Sequence, residues 1–448
     1  MHPKLPGTDR AKAARPLGRP SDKLETPRRK LPRETSGTTS TSPHLTALVR
    51  RRRSGWTLPQ PFFRDPEIYQ VDLEKIWRTG WLFAGHSCEV RKAGAYFLVP
   101  VDTDSVIIVR DRKGVLHAHH NVCRHRGSVL CDATQGILSR IVCPYHQWSY
   151  DLDGRLAAWR SMPADLDRGD FGLKPVAIRE VEGLIFISLA KTPTPFEAAY
   201  RCLAPLLRPQ GFQKAKVAAA ADYRVNANWK IVWENNRECY HCNANHPQYI
   251  QANFDHYNAD DTTPLIRQRM QEASARMEAR WIESGLATHR ETGMTPFPDA
   301  KRGIWFSGNR TPLVDGWVSE TMDGHPVAPL MGAYTDPNVG TLRIRTLPNF
   351  WNHSSCDHGV STRLLPAGPQ HTVIRVWWLV DENAQEGRDY DLGKLMPFWQ
   401  LTSEQDWEIC ERQQRGINSS AYEPGPYSPS KEYNVESFVQ WYLKSLQP

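Results

Sequence analysis

Hydrophobic and polar positions along the chain fall into three regimes. Residues 1–54 have no sustained apolar periodicity and are rich in Pro, Ser, Thr, Lys and Arg, so this segment is expected to be disordered and to contribute little to the fold. Its Arg-rich, acid-poor character resembles an organelle transit peptide, but its prolines interrupt the amphipathic helix that such a signal requires. Folding sequence begins near "WTLPQPFF", and in "EIYQVDLEKIWRTGW" the residues Ile68, Val71, Ile76 and Trp77 follow helical spacing. Between Ala95 and Leu189 the pattern becomes short alternating runs ("YFLVPV", "SVIIVRD", "GRLAAW", "GLIFISLA") separated by turn dipeptides such as Asp153-Gly154, which predicts a small all-β domain. Pro-rich "AKTPTPFE" marks a boundary. Beyond it come a strand in "KVAAAADYRV", a helix from about Trp229, strands around "TLRIRTLPNFW" and "HTVIRVWWLV", and a helix from about Asp391 to Gln414. That order predicts an α+β domain around an antiparallel sheet, and domains at 1–54, 55–190 and 191–448.

Composition narrows the function classes. A chain of 448 residues allows two or three domains with sizeable cores, and no apolar run reaches the roughly 18–20 residues of a membrane span. The net charge of +7 suggests nucleic acid, but residues 1–53 carry 14 of the 56 basic residues and only 4 of the 49 acidic ones. The remainder is slightly acidic, so neither a nucleic acid nor a membrane is the expected partner. Nine cysteines, an odd number without a signal peptide, read as reduced thiols or metal ligands in a cytoplasmic protein.

Two ligand sets follow. Cys123-Arg-His125 and Cys143-Pro-Tyr-His146 each offer one thiolate and one imidazole, as a two-iron two-sulfur centre needs when two Cys hold one iron and two His the other. Structural zinc is the alternative, although zinc sites more often pair C-x2-4-C with H-x3-5-H. In "NWKIVWENNRECYHCNANHP" (228–247), Glu238 stands three residues before His241, predicting one shared helix face. His246 can turn toward the same point only if the helix ends, and Pro247 supplies the reason. Two histidines and one carboxylate with open positions suit non-haem Fe(II). For the carboxylate, Asp406 falls on an apolar stripe formed by Leu392, Leu395, Trp399 and Ile409, whereas Glu404, Glu408 and Glu411 fall off it. A buried carboxylate is costly unless paired or metal-bound, which makes Asp406 the best candidate. His353 and His358 repeat the five-residue spacing without a terminating proline and read as sheet-edge or loop histidines. Cys239 and Cys242 form a C-x2-C pair that reads as small buried hydrophobes, and His119 and His120 as a polar strand end.

The segments "CRHRG" (123–127) and "CPYHQWSYDLDG" (143–154) resemble the ligand loops of Rieske iron–sulfur domains, and both sites together resemble the oxygenase components of Rieske non-haem iron oxygenases, from about Trp56 onward. "ENNRECYHC" is similar to the branch acting on quaternary ammonium compounds. The resemblance implies a Rieske 2Fe–2S domain joined to a helix-grip catalytic domain, with Fe(II) held by His241, His246 and Asp406. It implies that Glu238 hydrogen-bonds His241 and, across a subunit boundary of a homotrimer, His146 of a neighbour. It also implies oxidative N-demethylation with O2, glycine betaine being the expected substrate and carnitine, proline betaine, choline or another amine the alternatives. Aromatic ring hydroxylation is a further alternative, and electron carriage alone a remote one. NADH electrons would come through a separate flavin or iron–sulfur reductase, since the chain has no G-x-G-x-x-G after a strand and no C-x4-C-x2-C. The stretches 305–324 and 361–368 depart from the family pattern. A fixed cation calls for aromatic faces; Trp305, Phe306, Trp317, Phe350, Trp351, Trp377 and Trp378 are available, each read as core before cage.

Overall fold

The structure is a computed structural model that describes residues 43–253, 263–288 and 298–447. Three short helices open it: α1 (Pro43–Arg51), α2 (Pro61–Arg64) and α3 (Pro66–Asp72). α1 corrects the expectation for residues 1–54, since Leu45 and Leu48 pack into the main core at 1% and 8% exposure. The i, i+3 spacing in "PHLTALVRR" makes one narrow apolar edge among arginines, enough to dock although too short to stand out. The expectation for residues 1–42 lies outside the described residues.

At the end of α3, Asp72 is fully buried and ties three elements together. It accepts hydrogen bonds from Trp229 Nε1 (3.0 Å), from Lys230 Nζ and from Tyr442 Oη (2.7 Å). Lys230 is equally buried, and burial pushes its ammonium pKa down against the pull of Asp72. Such a pair holds only because each charge has the other.

The β region between residues 82 and 188 forms three small sheets: β1 (Leu82–His86) with β10 (Leu184–Ser188) and β9 (Ala177–Val181); β4 (Leu116–His120), β3 (Asp104–Arg110), β2 (Ala95–Val101) and β5 (Gln135–Ile137); and β6 (Ile141–Val142), β7 (Ser149–Tyr150) and β8 (Leu156–Ala158). The Asp153-Gly154 turn is close-packed: Gly154 sits at φ +89°, and a Cβ there would meet the His119 ring at 2.6 Å. His119 is 3% exposed and bonds Leu152 O, so it is a core residue and not a polar strand end.

The second region is a six-stranded antiparallel sheet in the order β11 (Ala215–Val225), β16 (His371–Asp381), β15 (Gly359–Gly368), β14 (Phe350–Ser354), β13 (Thr341–Thr346), β12 (Phe306–Thr311). Alternation along its strands serves two cores. Leu342, Ile344 and Phe350 pack with Phe83 and Leu203 on one face. On the other lie helices α5 (Trp229–Asn236), α6 (Cys242–Asn245), α7 (Pro247–Ala252), α10 (Pro397–Ile417) and α11 (Tyr433–Ser445), with α8 (Pro264–Glu283) following α7 in the chain and α9 (Leu392–Leu395) preceding α10, while α4 (Glu197–Leu207) carries Leu203. The helix expected over 391–414 is therefore two, divided just before Pro397, which takes the first position of α10 where its missing N–H costs nothing.

The two regions share their packing. Asn349 brackets the backbone of Phe83, accepting from its N at 2.8 Å and donating to its O at 3.0 Å, and the Phe83 and Phe350 rings lie 4.1 Å apart.

Candidate metal centres

The first ligand set sits on two loops of matching build. Cys123 N bonds Ser128 O and Gly127 N bonds Cys123 O; Cys143 N bonds Trp148 O and Gln147 N bonds Cys143 O. Four residues after each cysteine the backbone is left-handed, at Gly127 (φ +77°) and at Gln147 (φ +63°). A glutamine is strained there, a cost that persists only where the surroundings enforce the loop. Both cysteines are buried among Trp148, Tyr150 and Leu130. The Tyr150 hydroxyl lies 3.3 Å from Cys123 Sγ and accepts from Arg124 N. His125 stacks flat on Trp148 with ring centres 4.7 Å apart, and the His125 and His146 rings are also 4.7 Å apart.

Two thiols and two imidazoles thus converge, and the buried Nδ1 of His125 has no hydrogen-bond partner among the described residues, a donor that a metal would satisfy. The donor set fits a 2Fe–2S cluster. The cysteines are inward, whereas His125 and His146 are half-buried and flanked by exposed Val122, Val129, Val142 and Tyr145.

At the second set, the expected shared helix face is corrected. α5 ends at Asn236, and residues 237–241 form an irregular turn, because the Glu238 carboxylate turns back to take the backbone N–H groups of Tyr240 and His241. Glu238 Oε1 still reaches His241 Nδ1 at 2.6 Å, through the turn. His246 lies between α6 and α7 at φ −128°, ψ 66°, where Pro247 interrupts the helix as expected. Its Nδ1 donates to Gln405 Oε1 at 2.8 Å, and Gln405 is held by Gln248 Nε2 at 3.0 Å.

Asp406, on α10, completes the group. Its Oδ1 is 3.2 Å from His241 Nε2 and 3.0 Å from His246 Nε2. Burial pushes the Asp406 carboxyl up, but bonds from the two imidazoles outweigh it and hold the pKa at about 2. Burial likewise opposes charge on His241, yet its bonds to Asp406 and Glu238 raise it to about 10. With Nδ1 of each imidazole committed outward, both Nε2 atoms face one carboxylate oxygen, a donor set that fits a single Fe(II). Cys242 Sγ also lies within 4.8 Å of both imidazoles, but it is disulfide-bonded to Cys239 and offers no thiolate. That bond corrects the expectation of reduced thiols for this pair: both sulfurs are buried, and they close a short ring around His241.

The buried stripe of α10 runs through Trp399, Ser403, Trp407, Cys410 and Gln414, with Ile409 only half-buried. Asp406 borders that face and Glu404 and Glu408 are exposed. The triad opens into a cavity of about 110 Å³. None of the seven aromatic residues considered from sequence lines it; Phe350, Trp351, Trp377 and Trp378 are core, and Tyr249, Trp399 and Tyr433 line it instead. The divergent stretch 305–324 contributes Ser307, Asn309 and Thr311 to the wall, and 361–368 contributes nothing. Sequence reading also missed His353. It is on an interior strand, 6% exposed, with its ring 4.3 Å from Trp399 and its Nδ1 3.8 Å from Glu320 Oε1. His358 is buried too, 3.0 Å from Asp357.

Residues 80–178 match the Rieske [2Fe-2S] domain family, and residues 212–447 match the ring hydroxylating alpha subunit (catalytic domain) family. The chain is 43% identical over 403 residues to the glycine betaine monooxygenase oxygenase subunit of Chromohalobacter salexigens, covering 89% of this chain and 88% of that one. It is 40% identical over 401 residues to the protein of the same name from Pseudomonas aeruginosa, covering 89% and 91%. Among solved structures, the quaternary ammonium Rieske monooxygenase CntA shares the fold at a TM-score of 0.67 and 20% identity, over 89% of this chain and 98% of that one. A Rieske domain packed on an antiparallel sheet that carries two histidines and a carboxylate, with these relatives, establishes that the chain belongs to the ring-hydroxylating alpha subunits, as a Rieske non-haem iron monooxygenase.

Proposed function

We propose that the chain is the oxygenase subunit that converts glycine betaine and O2, with two electrons and two protons, to dimethylglycine, formaldehyde and water, with Cys123, His125, Cys143 and His146 holding the cluster and His241, His246 and Asp406 holding Fe(II). The observation that carries this reading is the convergence of His241 Nε2 and His246 Nε2 on one Asp406 oxygen, in a chain 43% identical to an oxygenase subunit named for glycine betaine. The iron would supply open positions for O2, and the cluster would supply electrons. The chain's own residues set the rest. Glu238 and Gln405 take the Nδ1 protons of the two imidazoles and so fix which nitrogen faces the cavity. Tyr249 and Trp399, with ring centres 6.0 Å apart, offer faces for a cation that can donate no hydrogen bond.

The same reading makes 55–190 the Rieske domain and 191–448 the catalytic domain of a cytoplasmic homotrimer served by a separate NADH-dependent flavin or iron–sulfur reductase. Among the described residues no helix is long and apolar enough to cross a membrane. In the trimer, half-exposed His146 of one subunit meets Glu238 of the next.

With NADH, a surrogate reductase and O2, glycine betaine should give one formaldehyde per turnover, and dimethylglycine, able to lose its charge, should react poorly. Formaldehyde from another quaternary amine, with only uncoupled NADH oxidation from glycine betaine, would replace the substrate. No formaldehyde from any of them would remove N-demethylation.

A further inference from the structure

Resting on that reading, we propose that His353, backed by Glu320, is the base that takes the hydroxyl proton when a hydroxylated N-methyl group breaks down to formaldehyde. Alternation along β14 sets the direction of the ring. Trp351, two positions earlier, packs against Trp233 and Trp407, on the side of the sheet that α5 and α10 cover, so His353 turns to that same side. There it lines the cavity together with His241, His246 and Asp406.

A buried carboxylate decides which nitrogen meets the cavity. Glu320 is fully buried; its Oε2 accepts from Thr341 Oγ1 at 2.9 Å, and its backbone N donates to Ser355 Oγ at 2.9 Å. Its Oε1 has no hydrogen bond among the described residues, and neither has the buried Nδ1 of His353, 3.8 Å away. Each is the group that can satisfy the other, an N–H at Nδ1 against a carboxylate oxygen. With the proton at Nδ1 and that edge of the ring sealed, Nε2 is the acceptor on the opposite edge, the one left to line the cavity. Burial works against charge on Glu320, but His353, Arg343 and the Thr341 hydroxyl outweigh it and hold the carboxyl below its usual range. The imidazole is neutral: burial first, and the guanidinium groups of Arg343 and Arg345 with it, bring its pKa down to about 4 against the pull of Glu320.

Glycine betaine, with no N–H and no O–H, offers that acceptor nothing. The first donor the substrate acquires is the hydroxyl of the oxidised methyl group. As its proton passes to Nε2, the O–H electron pair forms the C=O bond of formaldehyde, and the C–N bond breaks with its pair going to nitrogen. No oxidant or reductant is consumed in this step. Glu320 meets the charge of the transient imidazolium, as a carboxylate behind an imidazole does in other bases of this build. A weak base suffices, because the freed tertiary amine is a stronger one and takes the proton, returning the ring to its neutral form.

The test is a single turnover of the full-length, metal-loaded, pre-reduced enzyme with glycine betaine and O2, stopped in acid, where the hydroxymethyl cation keeps its proton and persists. Mass spectrometry follows that cation, one oxygen heavier than the substrate, while cluster oxidation and formaldehyde are timed separately. In His353→Gln, cluster oxidation should stay within about twofold of wild type, the hydroxymethyl cation should accumulate, and formaldehyde should lag by at least about 10-fold. Glu320→Gln, isosteric and with the ring untouched, should show the same lag and carries the test if the first variant loses its Rieske spectrum. Formaldehyde that keeps pace with cluster oxidation in both variants would overturn the proposal. Equal slowing of both signals, with no hydroxymethyl cation, would overturn it too, since His353 would then only shape the site. Wild-type enzyme that yields no formaldehyde removes the demethylation reading and this step with it, whereas wild-type formaldehyde with no lag in the variants removes the step alone.

Discussion

Glu234, on the inner face of α5, is a buried acid that the proposed chemistry leaves unused. Burial raises its carboxyl to about 8, with Lys230 pulling the other way, and its Oε1 has no hydrogen-bond partner among the described residues. The unfolded chain would release that proton near 4.5, so between about 4.5 and 8 the folded state binds more protons than the unfolded one. Stability should therefore fall as pH rises through that window. Glu234→Gln keeps the shape without the titration, and should flatten the dependence of Tm on pH between 4.5 and 8. An unchanged slope would show that Glu234 is already ionised in the fold. Residues at this scale were unevenly legible. Cys123 and His125, like Cys143 and His146, stand within a few positions of each other because each cluster loop is local, so spacing alone exposes the two pairs. His353 meets Glu320 and Trp399 only through sheet pairing and helix docking, and no local pattern carries that.

Among the elements, α1 is where burial and composition pull furthest apart. Leu45 and Leu48 sit in the same core as Trp77, Trp229 and Tyr442, and Arg52 beyond the helix pairs with Glu436 on α11. Leu45→Ala should cost about 2–4 kcal/mol by the usual price of a buried leucine. A chain starting at Arg53 should lose more and melt several degrees lower, with iron content retained in the cold; an unchanged Tm would mean that α1 packs without contributing. An Arg-rich nonamer hides this because helix docking needs only one apolar edge. The strand "TLRIRT" is the reverse case, its alternation being open to view. What the chain alone does not reveal is which face of β13 meets the iron, since that depends on α7 and α10 arriving from distant parts of the sequence.

At the scale of the whole molecule, the inward cysteines and outward histidines of the cluster loops turn the imidazole side of that site toward the surface of the chain. If electrons pass between subunits, two crippled proteins should rescue each other. On the proposed ligand sets, Cys123→Ser should remove the cluster and Asp406→Ala the mononuclear iron, so each variant alone should be inactive, while co-assembled mixed oligomers of the proposed trimer should regain partial turnover. Failure of mixed trimers, verified by mass, to form any product would confine transfer to one chain. The domain order was readable, because the switch from period-2 runs to helical spacing is a property of the chain itself. The exposure of Val122, Val129 and Tyr145 around the cluster loops is not, since in sequence they look like any other apolar residues.

The sheet order has a consequence for how such an enzyme can change. β12 to β16 follow one another as a meander of near neighbours, and β11 joins the far edge beside β16. Segment 226–305 therefore leaves one edge of the sheet and returns at the opposite edge, and along the way it carries Glu238, His241, His246 and Tyr249. The meander from β13 to β16 pairs strands close in sequence, and none of its strands lies in that excursion. Substitutions in the arch can alter what the pocket accepts while the scaffold stays intact, so new substrate preferences should accumulate between β11 and β12 and at the β12 edge where it lands.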